Sequence, residues 1–371
     1  MPSVVIVGGG IVGTSTAFYL AKRGCAPTIV ERCHIAAEAS GKAGGFLARD
    51  WQPSAPADGL AALSAASFDL HAELAHELGA EHIDYRRLSC IGVETARAGG
   101  ARQLLVPRKL EHVQWTEVDG RGVRQMGDQS TIGQVHPRKL TTKMAEVAVA
   151  LGATIVHGIA TAIHAGAPVR VALASGEELR ADAVVLAMGP WTDQIDGGLV
   201  VPRMLGQKYH SLTMQIDKTL DQAVFFQGKG DIELYPRPRG EVYVTGYTGD
   251  EPAPVAEAPG HVEVRESKLH PHELLARTLC AELAHATRTG VQACYLPLTQ
   301  DGVPAIGKLP SAPGVYVGTG HSCWGILNGP ATGKALAELI LDGKQSVVPS
   351  LNAFDPARFA RATARRAPRP L

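Results

Sequence analysis

Pairing among cysteines is the first thing this sequence lacks. Its six, Cys25, Cys33, Cys90, Cys280, Cys294 and Cys323, form no C-x-x-C spacing. That excludes a zinc ribbon and a disulfide framework and suits a reducing compartment, the cytosol being the simplest address. Excess charge is lacking too: Lys plus Arg and Asp plus Glu each number 36, so no overall field draws nucleic acid or an anionic membrane surface. A small molecule is the default partner. Several catalytic signatures are incomplete. His76-Glu77 has Ala80 where H-E-x-x-H needs its second histidine, so no metal is expected there. GHSCW, from Gly320, lacks the last glycine of a G-x-S-x-G elbow, which excludes a serine hydrolase of that type. GPATG before Lys334 is too short for the G-x-x-x-x-G-K phosphate loop. The apolar stretch 4–21 has no basic segment before it and is broken by Gly, Ser and Thr, so it reads as buried strand, turn and helix rather than a leader or a membrane span.

What is there begins with VVIVGGGIVG, residues 4–13. Gly8, Gly10 and Gly13 stand in G-x-G-x-x-G register between a strand-like run and a helix-like one. The first permits a tight turn, the second lets backbone approach a pyrophosphate, and the third lets helix pack on strand. A helix beginning near Ile11 presents unpaired N–H groups and about half a positive charge to that pyrophosphate. A second strand, PTIVE, ends at Glu31, where a carboxylate accepts hydrogen bonds from ribose hydroxyls. An acid there disfavours a 2′-phosphorylated dinucleotide, although Arg32 is adjacent. On these residues FAD and NAD both stay open.

With 371 residues the chain has room for about two domains. Continuous βα repeats stop after Glu31. Residues 34–51 are a Gly- and Ala-rich loop, 60–79 predict an amphipathic helix, and IDYRRLSCIGVET predicts strands. Parallel order resumes with a helix over 137–151 and the strand after it. A hairpin turning at Ser175-Gly176 follows, then a buried strand at 184–187. Within 196–260 the pieces YHSLTMQI, AVFFQG, DIELYPRP and EVYVTGY predict a mostly antiparallel sheet. Residues 270–286 predict a helix starting at HPH, with Leu274, Leu275, Thr278, Leu279 and Leu283 on one face. The stretch from Gly314 predicts strand, glycine-rich turn and a helix whose apolar face holds Leu336, Leu339 and Ile340. The fold class is therefore α/β plus α+β: a Rossmann-like dinucleotide domain (1–50, 133–195 and 295–345) interrupted by a substrate domain (51–132 and 196–294). A C-terminal tail spans 346–371, and its arginine-rich end, ARFARATARRAPRPL from Ala357, is expected to be solvated and disordered.

GGGIVG with Glu31, ASGKAGG, VVLAMGPW, PRPRGEVYVTGY, TQDGVPAIGKLP and GHSCWGILNGPATGK together resemble the FAD-dependent oxidoreductases of the D-amino acid oxidase, glycine oxidase and sarcosine oxidase family. The resemblance is strongest to a little-characterised eukaryotic branch. It implies FAD lying extended, its ADP on Gly8, Gly10, Ile11, Val12 and Gly13 with Glu31 and Arg32. Ser40, Lys42, Gly44, Gly45, Ala160, Gly189, Trp191, Gly325 and Ile326 would complete the cofactor site. The last helix would point its positive end at the flavin ring, and Tyr247 and Trp324 would wall the substrate pocket. The implied activity is oxidation of a C–N bond in a small amine or amino-acid-like substrate, with electrons passing to oxygen or another acceptor.

Departures from the family pattern concern the substrate. Where glycine oxidases carry a carboxylate-clamping arginine in GHFRNGI, this chain has Cys323, and a second arginine position is Leu296. The lysine that helps sarcosine oxidases react with oxygen corresponds to Val244. Replacement anion binders are Lys42, Arg49 and Arg237, each otherwise a solvated surface charge. Cys294 matches the cysteine that tethers flavin covalently in sarcosine oxidases; its other reading is a buried packing residue. No general base is identifiable. Two other functions stay open: a flavin-binding regulatory or scaffold protein with little catalysis, and an NAD-dependent dehydrogenase.

Overall fold

Gly13 determines how the first strand and helix meet. A Cβ there would stand 2.0 Å from the Gly8 carbonyl oxygen, so the helix Ile11–Lys22 can leave the strand Val4–Val7 in so tight a turn only with a bare α-carbon. The computed structural model describes residues 1–52, 59–94, 114–115, 122–228, 231–247 and 249–359. Val4–Val7 lies inside a six-stranded sheet of order Ala305–Lys308, Val315–Thr319, Ala183–Leu186, Val4–Val7, Thr28–Glu31, Thr154–His157. Its pairs are parallel except the edge pair formed by Ala305–Lys308. Val4 and Ile6 face a cluster with the long helices, while Val5 and Val7 face a second cluster that includes Val169 and Val171. Burial on both faces is why the strand reads as an unbroken apolar run.

A second sheet has seven strands: Thr287–Thr299, Met204–Gln215, Glu241–Gly246, Ile232–Pro236, Gln222–Gln227, Ser89–Glu94 and Gly122–Gly127. Only Gln222–Gln227 with Ser89–Glu94 pairs parallel. The two-residue period sorts its side chains cleanly. Ile232, Leu234, Val242 and Val244 pack on one face against the helix Glu266–Leu279, and Tyr235 and Tyr243 belong to a separate cluster with Phe46 on the other.

Three expectations change. The helix expected over 270–286 runs Glu266–Leu279, with Pro271 inside it, followed by a short 3-10 turn Ala281–Leu283. Its buried residues are Leu269, His272, Ala276 and Leu279, whereas Leu274 is 56% exposed. Starting the helix at HPH hid Leu269 and so rotated the apolar stripe. The helix Leu60–Leu78, placed by sequence with the substrate domain, packs in the cluster of Ile6, Ile11 and Leu336. There His71 Nε2 approaches the Ile326 carbonyl at 3.0 Å and Ser67 accepts from the Ala331 amide at 3.1 Å. Finally, residues 346–359 pack onto the body rather than forming a tail. Phe354 and Phe359 are buried, and Arg358 pairs with Asp301 at 2.7 Å. The arginines beyond 359 lie outside the described residues. Among those described, no helix is long and apolar enough to cross a membrane.

The helices Ile11–Lys22 and Gly325–Asp342 touch through glycine. A Cβ on Gly333 would lie 2.4 Å from Ser15 Cβ and 2.6 Å from the Thr16 amide nitrogen. Gly333→Ala therefore forces backbone apart, at a cost of up to about 3 kcal/mol, against about 1 kcal/mol that alanine adds in helix propensity. A net loss near 2 kcal/mol is expected. Thermal unfolding checks it: a lower Tm is expected, and an unchanged one removes this contact as a constraint.

Candidate functional site

A single cavity of about 590 Å³ runs from the glycine loop to the seven-stranded sheet. At the loop end Gly8 has φ 111°, and a Cβ on it would meet the Ala187 carbonyl oxygen at 2.4 Å; no other residue fits. The Gly9 amide donates to Glu31 Oε2 at 2.6 Å and the Cys33 amide to Oε1 at 2.8 Å. These bonds pin the carboxylate at the strand end, on the cavity wall. The Ile11 amide donates to Ser40 Oγ at 2.9 Å, so the small-residue loop closes over the helix N-terminus. The second long helix also starts on the cavity, at Gly325 and Ile326.

The far end is aromatic. The chain has only 4 Trp, and Trp51, Trp191 and Trp324 all line this cavity. Phe46 stacks on Tyr235 at 5.2 Å, and Phe225 and Trp51 lie edge-on at 5.1 Å, giving a continuous ring wall. Set in it is Glu233, surrounded by protein yet open on its cavity side. Its Oε2 accepts from the Tyr235 hydroxyl. Burial holds its carboxyl up, from the usual 4.5 to about 6. His321, also on the wall, is buried and kept neutral by desolvation, lowered to about 4; its Nε2 approaches Thr332 Oγ1 at 3.2 Å while Nδ1 has no partner among the described residues. Ser322 beside it has φ 52°, a strained backbone for a non-glycine residue.

Most residues singled out from sequence line this cavity: Gly8, Gly10, Ile11, Val12, Glu31, Arg32, Ser40, Gly44, Gly45, Ala160, Gly189, Trp191, Cys294, Cys323, Trp324, Gly325 and Ile326. Cys323 is exposed, but to the cavity, and the protein around it pushes its thiol up to about 11. Cys294 is buried on the wall with its thiol pushed up to about 12 by desolvation. Gly13 serves packing instead.

Four expected positions lie off the wall. Lys42 pairs with Glu38 at 2.8 Å. Arg49 sits at the surface, 3.1 Å from Asp50 and 3.7 Å from Asp69. Arg237 is buried and spent on structure, pairing with Glu241 at 2.7 Å and donating to the carbonyl of Ala43 at 2.9 Å, so it buttresses the loop. Tyr247 is 46% exposed and bonds Glu251. Val244 is packed on the opposite face of its sheet, so no side chain at 244 reaches the cavity, and the missing lysine there says nothing about oxygen. Sequence reasoning missed Glu233, Tyr235, Tyr243 and His321. Alternation in DIELYP and EVYVTG was the available signal, since it sets Glu233, Tyr235 and Tyr243 opposite the aliphatic residues.

A glycine-loop parallel sheet sharing one long cavity with a mixed sheet is the architecture of a dinucleotide-binding fold. Residues 3–339 match the family model of FAD dependent oxidoreductases, DAO. A Schizosaccharomyces pombe protein named as a putative oxidoreductase is 33% identical over 92% of this chain and 94% of its own. The glycine oxidase of Pseudomonas aeruginosa is 25% identical over 97% of this chain and 98% of its own. The crystal structure of glycine oxidase from Geobacillus kaustophilus superposes with a TM-score of 0.77 at 23% identity, covering 96% of this chain and 98% of that one. The chain belongs to the DAO family of FAD-dependent oxidoreductases.

Glu233 carries a measurable cost. Between pH 4.5 and 6 the unfolded chain has released a proton that the folded chain still holds on Glu233, so stability falls as pH rises through that window. Glu233→Gln escapes the loss. The variant is expected to match the parent at pH 4.5 and to exceed it by about 2 kcal/mol at pH 7.5, one pKa unit being worth about 1.4 kcal/mol. Urea unfolding at the two pH values checks this; a variant less stable at pH 7.5 than the parent contradicts the burial reading.

Proposed function

We propose that the cavity holds FAD extended along its length and that the chain oxidises a C–N bond of a small amine or amino-acid-like molecule, electrons passing to oxygen or another acceptor. The observation that supports this best is continuity: one cavity joins the Glu31 and glycine-loop end to the aromatic end. The residues present fit the cofactor. A Cβ on Gly10 would press on Ser40 Oγ at 3.0 Å, and as glycine the loop offers bare backbone for a pyrophosphate to approach, while the first turn of Ile11–Lys22 supplies N–H groups without intrahelical acceptors. Glu31 keeps lone pairs beyond its two backbone bonds for ribose hydroxyls. When bound, FAD supplies hydride acceptance from carbon at its N5. The N-terminus of Gly325–Asp342 favours negative charge at the other end by about 0.3–2 kcal/mol. Trp51, Phe225 and Trp324 exclude water there. Protonation of the Cys294 thiol disfavours a tether, because the thiolate is the nucleophile.

The purified protein is expected to show flavin absorbance bands, and acid precipitation should leave the colour in the supernatant. Colour in the pellet would establish the Cys294 bond instead. Glu31→Ala should weaken FAD binding about 10- to 100-fold, the value of hydrogen bonds to a charged group. A protein that takes up no FAD overturns the reading. Anaerobic bleaching by an amine would exclude a purely regulatory flavoprotein.

A further inference from the structure

We infer that the aromatic end of the cavity selects a positively charged amine with an apolar body and no carboxylate, held by Glu233 within the ring wall. This rests on the cofactor reading above and names the substrate class of the same site. Charge on the wall is the first support. Among the Lys and Arg of the described residues, only Arg32 lines the cavity, and it stands beside Glu31 at the glycine-loop end. Lys42, Arg49 and Arg237, the residues that would seat a carboxylate, are each turned away to a partner carboxylate. Among the described residues, no Lys or Arg at that end of the cavity would offset the repulsion between an anionic substrate and Glu233.

Geometry is the second support. Glu233 is flanked on its sheet by Phe225 and Thr245. Its Oε2 is taken by the Tyr235 hydroxyl, and among the described residues no Lys, Arg or His pairs with it and Oε1 accepts no hydrogen bond. A half-satisfied carboxylate opening on a cavity has a place for one charged donor. The third support is the wall itself. Phe46, Trp51, Phe225, Tyr235 and Trp324 form a contiguous set of ring faces and edges, and such faces attract an ammonium and cover an apolar body. Cys323 and Leu296, where arginines would clamp a carboxylate, add only apolar or neutral surface.

Benzylamine, benzyl alcohol and benzoate share one apolar body and differ in charge. Each is titrated into the full chain with and without FAD, read by intrinsic tryptophan fluorescence, three of the four tryptophans lining the cavity, and by the flavin absorbance band. Benzylamine is expected to bind at least tenfold tighter than either of the others. Glu233→Gln should bring benzylamine down to the benzyl alcohol level, while Glu251→Gln at the surface changes nothing. Circular dichroism and FAD uptake report that the variants are folded. Benzoate binding as well as benzylamine, or Glu233→Gln leaving benzylamine affinity unchanged, overturns the inference. A protein that takes up no FAD sinks the cofactor reading, whereas FAD uptake without amine preference overturns this inference and leaves the cofactor reading standing.

Discussion

At Gly333 the last long helix lies so close to the first that a Cβ would stand 2.6 Å from the Thr16 amide nitrogen, and at Gly329 one would stand 2.6 Å from Ile11 Cγ1. Because the two helices meet backbone to backbone, Ile11–Lys22 and Gly325–Asp342 both start on the same cavity. Each start carries about half a positive charge and N–H groups that lack acceptors within their own helix, the Ile11 amide being taken by Ser40 Oγ. The parallel sheet beneath them holds their strands in register, with Val4–Val7 between Ala183–Leu186 and Thr28–Glu31. The positive field of the cavity thus comes from backbone rather than from side-chain cations, of which Arg32 alone is on the wall among the described residues.

The two ends of the cavity differ in how they treat charge. At the glycine loop, Glu31 is held by two amides that satisfy it as an anion. At the aromatic end, Glu233 has one hydroxyl and a raised pKa, and His321 is held neutral. Burying a carboxylate without a cationic partner costs free energy, and that cost is what holds the Glu233 carboxyl above its usual range. The strained Ser322 lies on the same stretch of wall, and strain of that kind persists where surrounding structure imposes it.

Much of the architecture was legible from the sequence. Strand, glycines, helix, strand and acid fall within residues 4–31; the contacts that define them are local, so spacing carries them. The aromatic end was read less well. Lys42, Arg49 and Arg237 were considered as anion binders on charge alone, and each has a carboxylate partner: four residues along the chain for Lys42 and Arg237, next door for Arg49. Glu233 went unnoticed because one acid inside a strand-like stretch looks like any solvent-facing position. Its meaning depends on which sheet face becomes cavity.

The sequence by itself determined the glycine-loop end, because Gly13 packs against the Gly8 carbonyl and Glu31 accepts from the Gly9 amide, contacts among residues close in the chain. Only the tertiary structure decided the other end. Phe46, Trp51, Phe225, Glu233, Tyr235, Tyr243 and Trp324 come from distant segments. They converge because strand pairing sets the register, and a shift of one residue would have turned Glu233 away from the cavity and Leu234 toward it.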